Sequence, residues 1–398
     1  MHRYDACMLP APPPLPQWRS ESGAPAPRRV VIGDDSLSAD TAYRMMCEGT
    51  GILWQGDFHN ARQLLQALAR RTQKHRPKKS GLRANTAAKQ HLPSAEVGEG
   101  AHAFHLHRQA LGQRARILGL LLIPIDADYR IPLRRAPDLR DALLPVWGPA
   151  SMRASMVALR ELLGLVGAYE WRKKGIEISA LGSPPHNRIY PHYGVFSPVR
   201  GEYIDLIATT PIPDHTLAFD IGVGSGVLSA VLIKRGVQQV VATDQDPRAM
   251  ACARENLERL NVLPQVTLLE TDLFPPGLAP LIVCNPPWLP ARPTSPIERA
   301  VYDEDSRMLR GFLAGLRAHL TPAGEGWLIL SDLAEHLQLR SRETLLAWID
   351  AGGLRVVEKV DVRPQHKKVA DVDDPLHSAR AAEITSLWRL AIKAATTN

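Results

Sequence analysis

The segments LAFDIGVGSG (217–226) and LIVCNPPW (281–288) decide the fold of this chain. In the first, an apolar strand pattern runs into a glycine loop, and a helix pattern follows. A glycine loop between a strand and a helix lets backbone N–H groups approach a ligand closely. Its spacing, D-x-G-x-G-x-G, differs from the G-x-G-x-x-G of dinucleotide sites. The segment therefore predicts a ligand-binding strand–loop–helix unit with Gly222, Gly224 and Gly226 in the loop.

Three further strand patterns end in polar residues. QQVVATD ends at Asp244, VTLLETD ends at Asp272, and LIVC is followed by Asn285-Pro286-Pro287-Trp288. In doubly wound sheets, an acid about twenty residues beyond the glycine loop meets ribose hydroxyls. Because ligands bind at the carboxyl ends of such strands, these residues predict one ligand crevice at one sheet edge.

Taken together, these segments resemble a class I S-adenosylmethionine-dependent methyltransferase of the Asn-Pro-Pro-aromatic type, over residues 190–394. Relatives of this type methylate planar nitrogens, either the glutamine amide of release factors or exocyclic amines of adenine and guanine. The resemblance implies an α/β class, a Rossmann-like, seven-stranded, mostly parallel sheet, and S-adenosyl-L-methionine as cofactor. It further implies that Asp220 and the three loop glycines hold the methionine end, Asp244 the ribose and Asp272 the adenine amino group.

The Asn-Pro-Pro-Trp segment suits chemistry at a nitrogen whose lone pair is delocalised. The methyl group goes to this nitrogen. The side-chain oxygen of Asn285 and the backbone carbonyl oxygen of Pro286 can each accept a hydrogen bond from one of its N–H groups. Proline fixes φ and has no N–H of its own, so this carbonyl is held rigidly. Two such acceptors orient the nitrogen, and positioning and electrostatics then supply most of the catalysis. Trp288 can stack on a flat acceptor. We therefore expect the four residues Asn285, Pro286, Pro287 and Trp288 to form the catalytic segment.

A second resemblance concerns the segment before the glycine loop. Release-factor glutamine methyltransferases carry a Phe-x-Pro-Arg run there, and this chain keeps Phe196 and Pro198. The chain has Val199 where the arginine would stand, and Arg200 follows one place later. The departure leaves Phe196 and Pro198 as expected cofactor-binding residues, but it weakens the case for glutamine as the acceptor.

The length and composition of the chain limit the classes of protein to which it can belong. A chain of 398 residues with 45% hydrophobic residues predicts two or three globular domains. The four cysteines (Cys7, Cys47, Cys252 and Cys284) have no paired spacing, which predicts free thiols and no zinc site. No apolar run reaches membrane-spanning length and the N-terminus lacks an export signal. We therefore expect a cytoplasmic protein that does not bind membranes.

The charge of the chain is divided unevenly. Residues 1–185 contain 26 Lys and Arg and 16 Asp and Glu, whereas the remainder contains 22 and 25. The densest part, Arg62 to Lys89, holds nine basic residues and no acidic one. Such asymmetry is typical of a chain with a polyanionic partner, although a basic loop that is merely solvated has the same composition.

These patterns predict three regions. Residues 1–27 read as a disordered, proline-rich tail, residues 28–185 as an α/β recognition domain with a basic arm at 62–89, and residues 186–398 as the methyltransferase domain. Within the second region we expect a strand at RRVVIGDD, helices over 38–46, 60–71 and 151–169, and a strand at HAFHLH. On that strand His105 and His107 would share a face, but no acid or cysteine completes a metal site.

The function predicted from the sequence is S-adenosylmethionine-dependent N-methylation of a planar nitrogen. A base of structured RNA is the preferred acceptor, because the basic excess lies outside the catalytic half. The alternatives are a protein glutamine, a small molecule, and a non-catalytic, cofactor-binding RNA scaffold. The intact Asn285 segment argues against the scaffold.

Overall fold

The computed structural model describes residues 16–74, 98–150, 153–364 and 374–394. The chain divides into a smaller unit, residues 1–81 with 113–166, and a larger unit, residues 82–112 with 167–398. The larger unit thus begins earlier than residue 186, where we expected the methyltransferase domain to start. It also includes residues 82–112, which come before residues 113–166 of the smaller unit in the chain.

The smaller unit is built on a five-stranded sheet with the order β1-β5-β4-β3-β2. All neighbouring strands in it are parallel except the antiparallel pair β4 and β5. Helices α1, α2 and α4 belong to this unit, whereas α3 and α5 run across the boundary between the units. The bounds are β1 (Gln17–Arg19), β2 (Arg29–Gly33), α1 (Ala39–Cys47), β3 (Thr50–Trp54), α2 (Phe58–Lys74), α3 (Glu99–Leu118), β4 (Leu121–Ile125), α4 (Arg140–Trp147), β5 (Ser155–Ala158) and α5 (Leu159–Lys174).

Several local predictions for this unit are confirmed. The strand at RRVVIGDD is β2, and the helix expected over 38–46 is α1. Ser38 caps α1 by accepting a hydrogen bond from the Thr41 backbone N–H at 3.1 Å. Helix α2 buries Leu64, Leu65 and Leu68 on one face. The basic arm expected over 62–89 lies on α2 as far as residue 74, and its remainder lies outside the described residues.

The tail prediction is wrong for Gln17–Arg19. This segment forms β1, an edge strand that pairs in parallel with Ser155–Val157 of β5. The Trp18 indole N–H also donates to the Ala24 carbonyl oxygen at 2.8 Å. The composition of the surrounding proline-rich stretch gave no sign of this, because the backbone partner lies far away along the chain.

The strand expected at HAFHLH is wrong. These residues lie within helix α3, so the three histidines do not alternate across a strand. Ala101 and Phe104 are buried and stand three residues apart, which is the spacing of one helix face. Within the described ranges, no group of three His, Cys, Asp or Glu side chains is placed to hold a metal ion.

The helix expected over 151–169 is wrong at its start. Its first half contains β5, whose four residues are all buried and pair with β4, and α5 begins only at Leu159. A buried strand of this length and the first turn of a buried helix have the same apolar sequence pattern. Pairing with β4, which is distant in sequence, makes these residues a strand rather than a helical turn.

The larger unit contains a seven-stranded sheet with the order β10-β9-β8-β11-β12-β14-β13. All its neighbours are parallel except the pairs that include β14, so the predicted mostly parallel sheet is confirmed. Its strands are β8 (Leu217–Ile221), β9 (Gln239–Asp244), β10 (Val266–Glu270), β11 (Ala279–Cys284), β12 (Leu320–Ser331), β13 (Leu354–Val362) and β14 (Thr385–Ile392). A short antiparallel hairpin, β6 (Ile176–Glu177) and β7 (Arg188–Ile189), precedes this sheet.

Helices of this unit form two apolar clusters with the sheet. One cluster includes buried residues of α6 (Glu202–Thr209), α7 (Val227–Lys234) and α8 (Pro247–Arg259). The other includes residues of α9 (Arg307–His319) and α11 (Arg342–Ala351). Two short helices, α10 (Leu333–His336) and α12 (His377–Ala382), complete the unit. No helix in the described part of the chain is long and apolar enough to cross a bilayer.

We predict that Phe312→Ala destabilises the larger unit by about 3–5 kcal/mol, because it leaves a cavity in the second cluster. The Phe312 side chain on α9 is fully buried. Urea unfolding followed by tryptophan fluorescence measures the loss. Leu346→Ala on α11, where the side chain is 43% exposed, is the control and should change stability by less than about 0.5 kcal/mol. A similar small change in both variants would contradict the burial of Phe312.

Candidate functional site

The glycine loop connects β8 to α7 in a backbone conformation that favours glycine. Gly222, Gly224 and Gly226 have φ values of 80°, 51° and 82°, all in the left-handed region. At Gly226 a Cβ atom would also lie 3.2 Å from the Ala253 Cα atom and 3.3 Å from the Leu257 Cγ atom of α8. The loop therefore keeps its path only with glycine at these positions.

Asp244 at the end of β9 is joined to the glycine loop. Its Oδ2 atom accepts a hydrogen bond from the Gly224 backbone N–H at 3.1 Å, and its Oδ1 atom accepts one from the Asp246 N–H at 2.9 Å. Burial raises the pKa of this carboxyl group, whereas the two hydrogen bonds act in the opposite direction. The acid that we expected to meet ribose hydroxyls thus stands directly beside the loop.

A cavity of about 780 Å³ opens at this edge of the sheet. Its wall brings together most of the site residues predicted from the sequence: Phe196, Gly222, Gly224, Asp244, Asp272, Asn285, Pro286, Pro287 and Trp288. Three of the predicted residues, Asp220, Gly226 and Pro198, are not part of that wall. For these three residues a contact with the cofactor stays a prediction.

Asp220 is buried under the loop, near the end of β8. The Ser229 hydroxyl donates to its Oδ2 atom at 2.6 Å, and no described group donates to its Oδ1 atom. Burial raises the pKa of Asp220 to about 6. Its contact with Ser229 of α7 ties the strand to the helix across the glycine loop.

Asp272, which we expected to meet the adenine amino group, forms an ion pair with Arg307. Both side chains are about half exposed, so the pair leaves the carboxylate accessible from the cavity. Next to it, Leu273 lies on the wall with a φ of 60°. The role of Asp272 toward adenine stays a prediction.

Asn285 and Trp288 are joined within the Asn-Pro-Pro-Trp segment, which follows β11. The Trp288 indole N–H donates to the Asn285 Oδ1 atom at 2.9 Å. This bond sets the orientation of the amide, and because a carbonyl oxygen has two lone pairs it leaves one for a further donor. Trp288 therefore orients the group that the sequence assigns to the acceptor.

The sequence did not single out a buried ion pair on the same wall. The Arg200 Nη1 atom donates to the Glu383 Oε1 atom at 3.1 Å, and the Ser331 hydroxyl donates to that oxygen at 2.8 Å. The Arg200 guanidinium also lies 5.8 Å from the centroid of the Trp288 ring. The sequence signal for this pair is Arg200, which stands one place later than the arginine of the Phe-x-Pro-Arg run. Glu383 belongs to no motif that the sequence analysis identified.

The loop that follows Trp288 forms another part of the wall, through residues 297–302. Helix α3 holds this loop through Arg108, whose Nη2 atom donates to the Arg292 carbonyl oxygen at 2.8 Å and to the Glu298 Oε2 atom at 3.2 Å. The guanidinium also lies 3.8 Å from the centroid of the Tyr302 ring. The loop that forms this part of the cavity wall is thus tied to α3.

The residues of the wall suit S-adenosyl-L-methionine. Among the described residues, the nearest atom to a Cβ atom at Gly224 would be the Gly222 carbonyl oxygen at 3.9 Å, so the loop leaves room for a ligand. The Asp244 carboxylate offers acceptors for hydroxyl groups, and Leu273 and Phe196 offer apolar surface for a flat ring. Gly222, Gly224 and Asp244 would therefore hold the cofactor.

We predict that Asp220 lowers the stability of the protein as the pH rises from about 4 to about 6. The folded-state pKa of about 6 exceeds the value near 3.9 of an unfolded aspartate, so the folded state binds more protons in this interval. The accumulated loss is roughly 3 kcal/mol once both states are ionised. Asp220→Asn should remove this component, which urea unfolding between pH 4 and 7 would show. Identical pH dependence in both proteins would contradict the raised pKa.

Comparison with known proteins identifies the type of domain. A family model for ribosomal protein L11 methyltransferases matches residues 205–286. The release factor glutamine methyltransferase of Geobacter sulfurreducens is 33% identical over 154 residues, which covers 35% of this chain and 52% of that protein. The tRNA1(Val) (adenine(37)-N6)-methyltransferase of Shewanella loihica is 28% identical over 146 residues, covering 34% of this chain and 60% of that protein.

The ribosomal protein L11 methylase of Lactobacillus delbrueckii subsp. bulgaricus aligns with a TM-score of 0.37 and 17% identity, covering 53% of this chain and 90% of that one. This chain spans about half of the length of the curated relatives that it matches. By its sequence relatives and its strand order, the seven-stranded domain is a class I S-adenosylmethionine-dependent methyltransferase domain.

Proposed function

We propose that this chain transfers a methyl group from S-adenosyl-L-methionine to a planar nitrogen, an exocyclic amine of a base in structured RNA. The observation that carries the proposal is a shared cavity, whose wall contains the glycine loop, Asp244 and the Asn285-Pro286 pair. The residues expected to hold the cofactor and those expected to hold the methyl acceptor thus line one cavity. That arrangement suits transfer to a nitrogen that has to be held and oriented.

The residues of the chain act by binding and orientation. The bound cofactor supplies an electrophilic methyl group on a sulfonium. The Asn285 Oδ1 atom and the Pro286 carbonyl oxygen accept the two N–H groups of the acceptor amine, which directs its lone pair away from them. Because the Trp288 N–H donates to the same Asn285 oxygen, the amide is oriented before the acceptor arrives. The Trp288 ring offers a stacking surface for a base.

Two features favour a nucleic acid as the acceptor. Residues 1–185 carry an excess of ten positive charges, from 26 Lys and Arg against 16 Asp and Glu. On the last turns of α5 the Trp171 side chain is 53% exposed, and the Lys174 Nζ atom lies 5.8 Å from its ring centroid. An exposed aromatic ring beside cations suits unpaired bases and phosphates.

A protein glutamine is the second candidate acceptor. Release factor glutamine methyltransferases are among the relatives with 33% and 32% identity, and the chain keeps Phe196 and Pro198 of their run. A glutamine amide and a base amine present the same pair of N–H groups to Asn285 and Pro286. The geometry of this pair therefore fits both acceptors.

The acceptor class is tested by methyl transfer from labelled S-adenosyl-L-methionine into a fractionated bacterial lysate. RNA, DNA and protein fractions are counted separately, with the purified full chain added or withheld. Label in the RNA fraction supports the proposal, and label in protein alone supports the glutamine alternative. No added label in any fraction, with a protein that binds the cofactor, would overturn the proposed activity.

We predict that Gly224→Val lowers the affinity for S-adenosyl-L-methionine at least about tenfold, because the side chain would occupy ligand space at a left-handed φ of 51°. Isothermal titration calorimetry on the folded variant measures the loss. Gly167→Ala on α5, where a Cβ atom meets nothing within 4 Å, is the control and should bind normally. Unchanged affinity in the folded Gly224→Val protein would refute the cofactor assignment.

We predict that Asn285→Ala lowers the rate of methyl transfer by about two to three orders of magnitude, the scale of one preorganised hydrogen-bonding group. Cofactor affinity should stay close to that of the wild type, because Asn285 is expected to face the acceptor. Single-turnover transfer to the labelled fraction gives the rate, and calorimetry gives the affinity. Full activity in this variant would reduce the Asn-Pro-Pro segment to a structural turn.

A further inference from the structure

Two consecutive arginines of the smaller unit are held by one buried carboxylate. Asp57 lies between β3 and α2, and its side chain is fully buried. The Nε atoms of Arg134 and Arg135 both donate to its Oδ2 atom, at 2.9 and 2.6 Å, and its Oδ1 atom accepts from the His59 backbone N–H at 2.8 Å. The hydrogen bond from Arg135 lowers the pKa of Asp57 to about 2, so the carboxylate is ionised near neutral pH.

The backbone brings both arginine side chains to the same carboxylate. Neighbouring side chains of an extended segment point in opposite directions, so they do not reach one atom together. Arg135 has a φ of 56°, in the left-handed region that residues with a side chain rarely adopt. The Phe58 N–H donates to the Arg134 carbonyl oxygen at 3.0 Å, which fastens this turn to the start of α2. The chain thus accepts an unfavourable backbone conformation where the two guanidinium groups come together.

Most of each guanidinium group remains available to a ligand. The Arg134 side chain is 75% exposed and the Arg135 side chain is 59% exposed. A guanidinium has five N–H donors, and the Nε bond to Asp57 uses one of them, so the four on the Nη atoms of each arginine remain. Across the described ranges, neither side chain has a further hydrogen bond or ion pair. Asp57 therefore orients both groups through Nε and leaves their Nη atoms unpaired.

The Asp57 carboxylate neutralises only one of the two positive charges. Asp35 is a further acid in this region, and its Oδ1 atom accepts from the Asp57 backbone N–H and from the Asn60 side-chain amide, both at 3.0 Å. It forms no ion pair with either arginine in the part of the chain that the structure describes. Two guanidinium groups on one carboxylate oxygen repel each other, and an anion bound by their Nη atoms relieves that repulsion.

The smaller unit carries the entire positive excess of the chain. Its residues, 1–81 and 113–166, include 20 Lys and Arg and 12 Asp and Glu, whereas the larger unit includes 28 and 29. An excess of one sign attracts oppositely charged polymers over a long range. Such attraction favours a polyanion at the smaller unit, and an oriented pair of guanidinium groups can supply a direct contact there.

We propose that Arg134 and Arg135 together bind one phosphate group of RNA, with the Nη atoms of both arginines donating to its oxygens. The inference rests on the proposed function in its choice of RNA as the partner, and it adds a phosphate site on the smaller unit. The planar guanidinium matches the geometry of phosphate oxygens, and hydrogen bonds between charged groups are among the stronger ones. Neither arginine belongs to the wall of the cavity beside the glycine loop, so the contact holds the RNA backbone and does not read the target base.

A purely structural role for the two arginines predicts a different result. If they only joined their turn to α2, their replacement would change stability and would affect RNA only through the net charge. Arg130 and Arg140 provide a matched control, because they are close in the chain and each pairs with an exposed aspartate. The double variants Arg134→Gln/Arg135→Gln and Arg130→Gln/Arg140→Gln remove the same charge from the same region.

The site is tested by RNA binding in the absence of cofactor. The full-length protein is titrated into a fluorescein-labelled RNA hairpin, and fluorescence anisotropy gives the Kd at several KCl concentrations. We expect Arg134→Gln/Arg135→Gln to weaken binding about tenfold at low salt and to reduce the slope of log Kd against log KCl concentration by about 0.7–0.9, the value for one phosphate. We expect Arg130→Gln/Arg140→Gln to weaken binding less than about threefold and to keep the wild-type slope. Equal losses in both double variants would show a response to net charge alone and would overturn the proposal.

Single variants keep the test valid if the double variant does not fold. Arg134→Gln and Arg135→Gln each leave the buried Asp57 carboxylate paired with one arginine, and urea unfolding verifies that each protein is folded. Each single variant should weaken binding about threefold at low salt. Wild-type affinity in both folded single variants would refute the phosphate site.

Methyl transfer measured in parallel separates this inference from the proposed function. An RNA that the wild type methylates, with the same kcat/KM and the same Kd in Arg134→Gln/Arg135→Gln, would overturn the phosphate site and leave the proposed activity intact. RNA binding that depends on the arginine pair, in a protein that binds the cofactor but methylates no RNA, would overturn the proposed acceptor and support the site.

Discussion

The parallel register of β8, β9 and β11 is the constraint on which the site depends. Ile221 of β8 pairs with Thr243 of β9 on one side and with Cys284 of β11 on the other. The next residues along the three strands are Gly222, Asp244 and Asn285, so all three emerge at one sheet edge. A slip of one residue in any of the strands would turn the alternate side chains to the wrong face. The Gly222 N–H bond to the Thr243 carbonyl oxygen, at 2.9 Å, extends this register into the loop.

Much of the larger unit could be predicted from the sequence, because the information is local. The bounds of β8 agree with the apolar pattern. The start of α8 also depends on local residues, since the Asp246 side chain accepts from the Arg248 N–H at 2.9 Å and Pro247 occupies the first helical position. The buried residues of α9 (Leu309, Phe312, Leu313 and Leu316) likewise follow the local spacing of one helix face. Each of these features depends on residues within a few positions of one another.

The errors in prediction lie where a distant partner decides. The edge strand β1 exists because β5 offers it backbone groups, and β5 is a strand because β4 pairs with it. The residues HAFHLH alternate like a strand but lie in helix α3. One face of this helix includes Phe104, whose ring centroid lies 6.4 Å from that of Tyr302. None of these partners could be identified from the local pattern, since apolar runs of such length fit either secondary structure.

The candidate site also has one part that is set by local sequence and another that is set by contacts between distant residues. The glycine loop, Asp244 and Asn285-Pro286 all fall inside residues 205–286, the segment that the family model matches. Glu383 and Ser331 lie beyond this segment: Ser331 ends β12, Glu383 shortly precedes β14, and the antiparallel pairing of these strands brings the two residues together. Trp288 joins the halves, since its N–H holds Asn285 while its ring faces the Arg200 guanidinium. The relatives of this chain include a release factor glutamine enzyme and a tRNA adenine enzyme, so proteins similar to one chain differ in their acceptors. Similarity over about a third of the chain therefore leaves its acceptor undetermined.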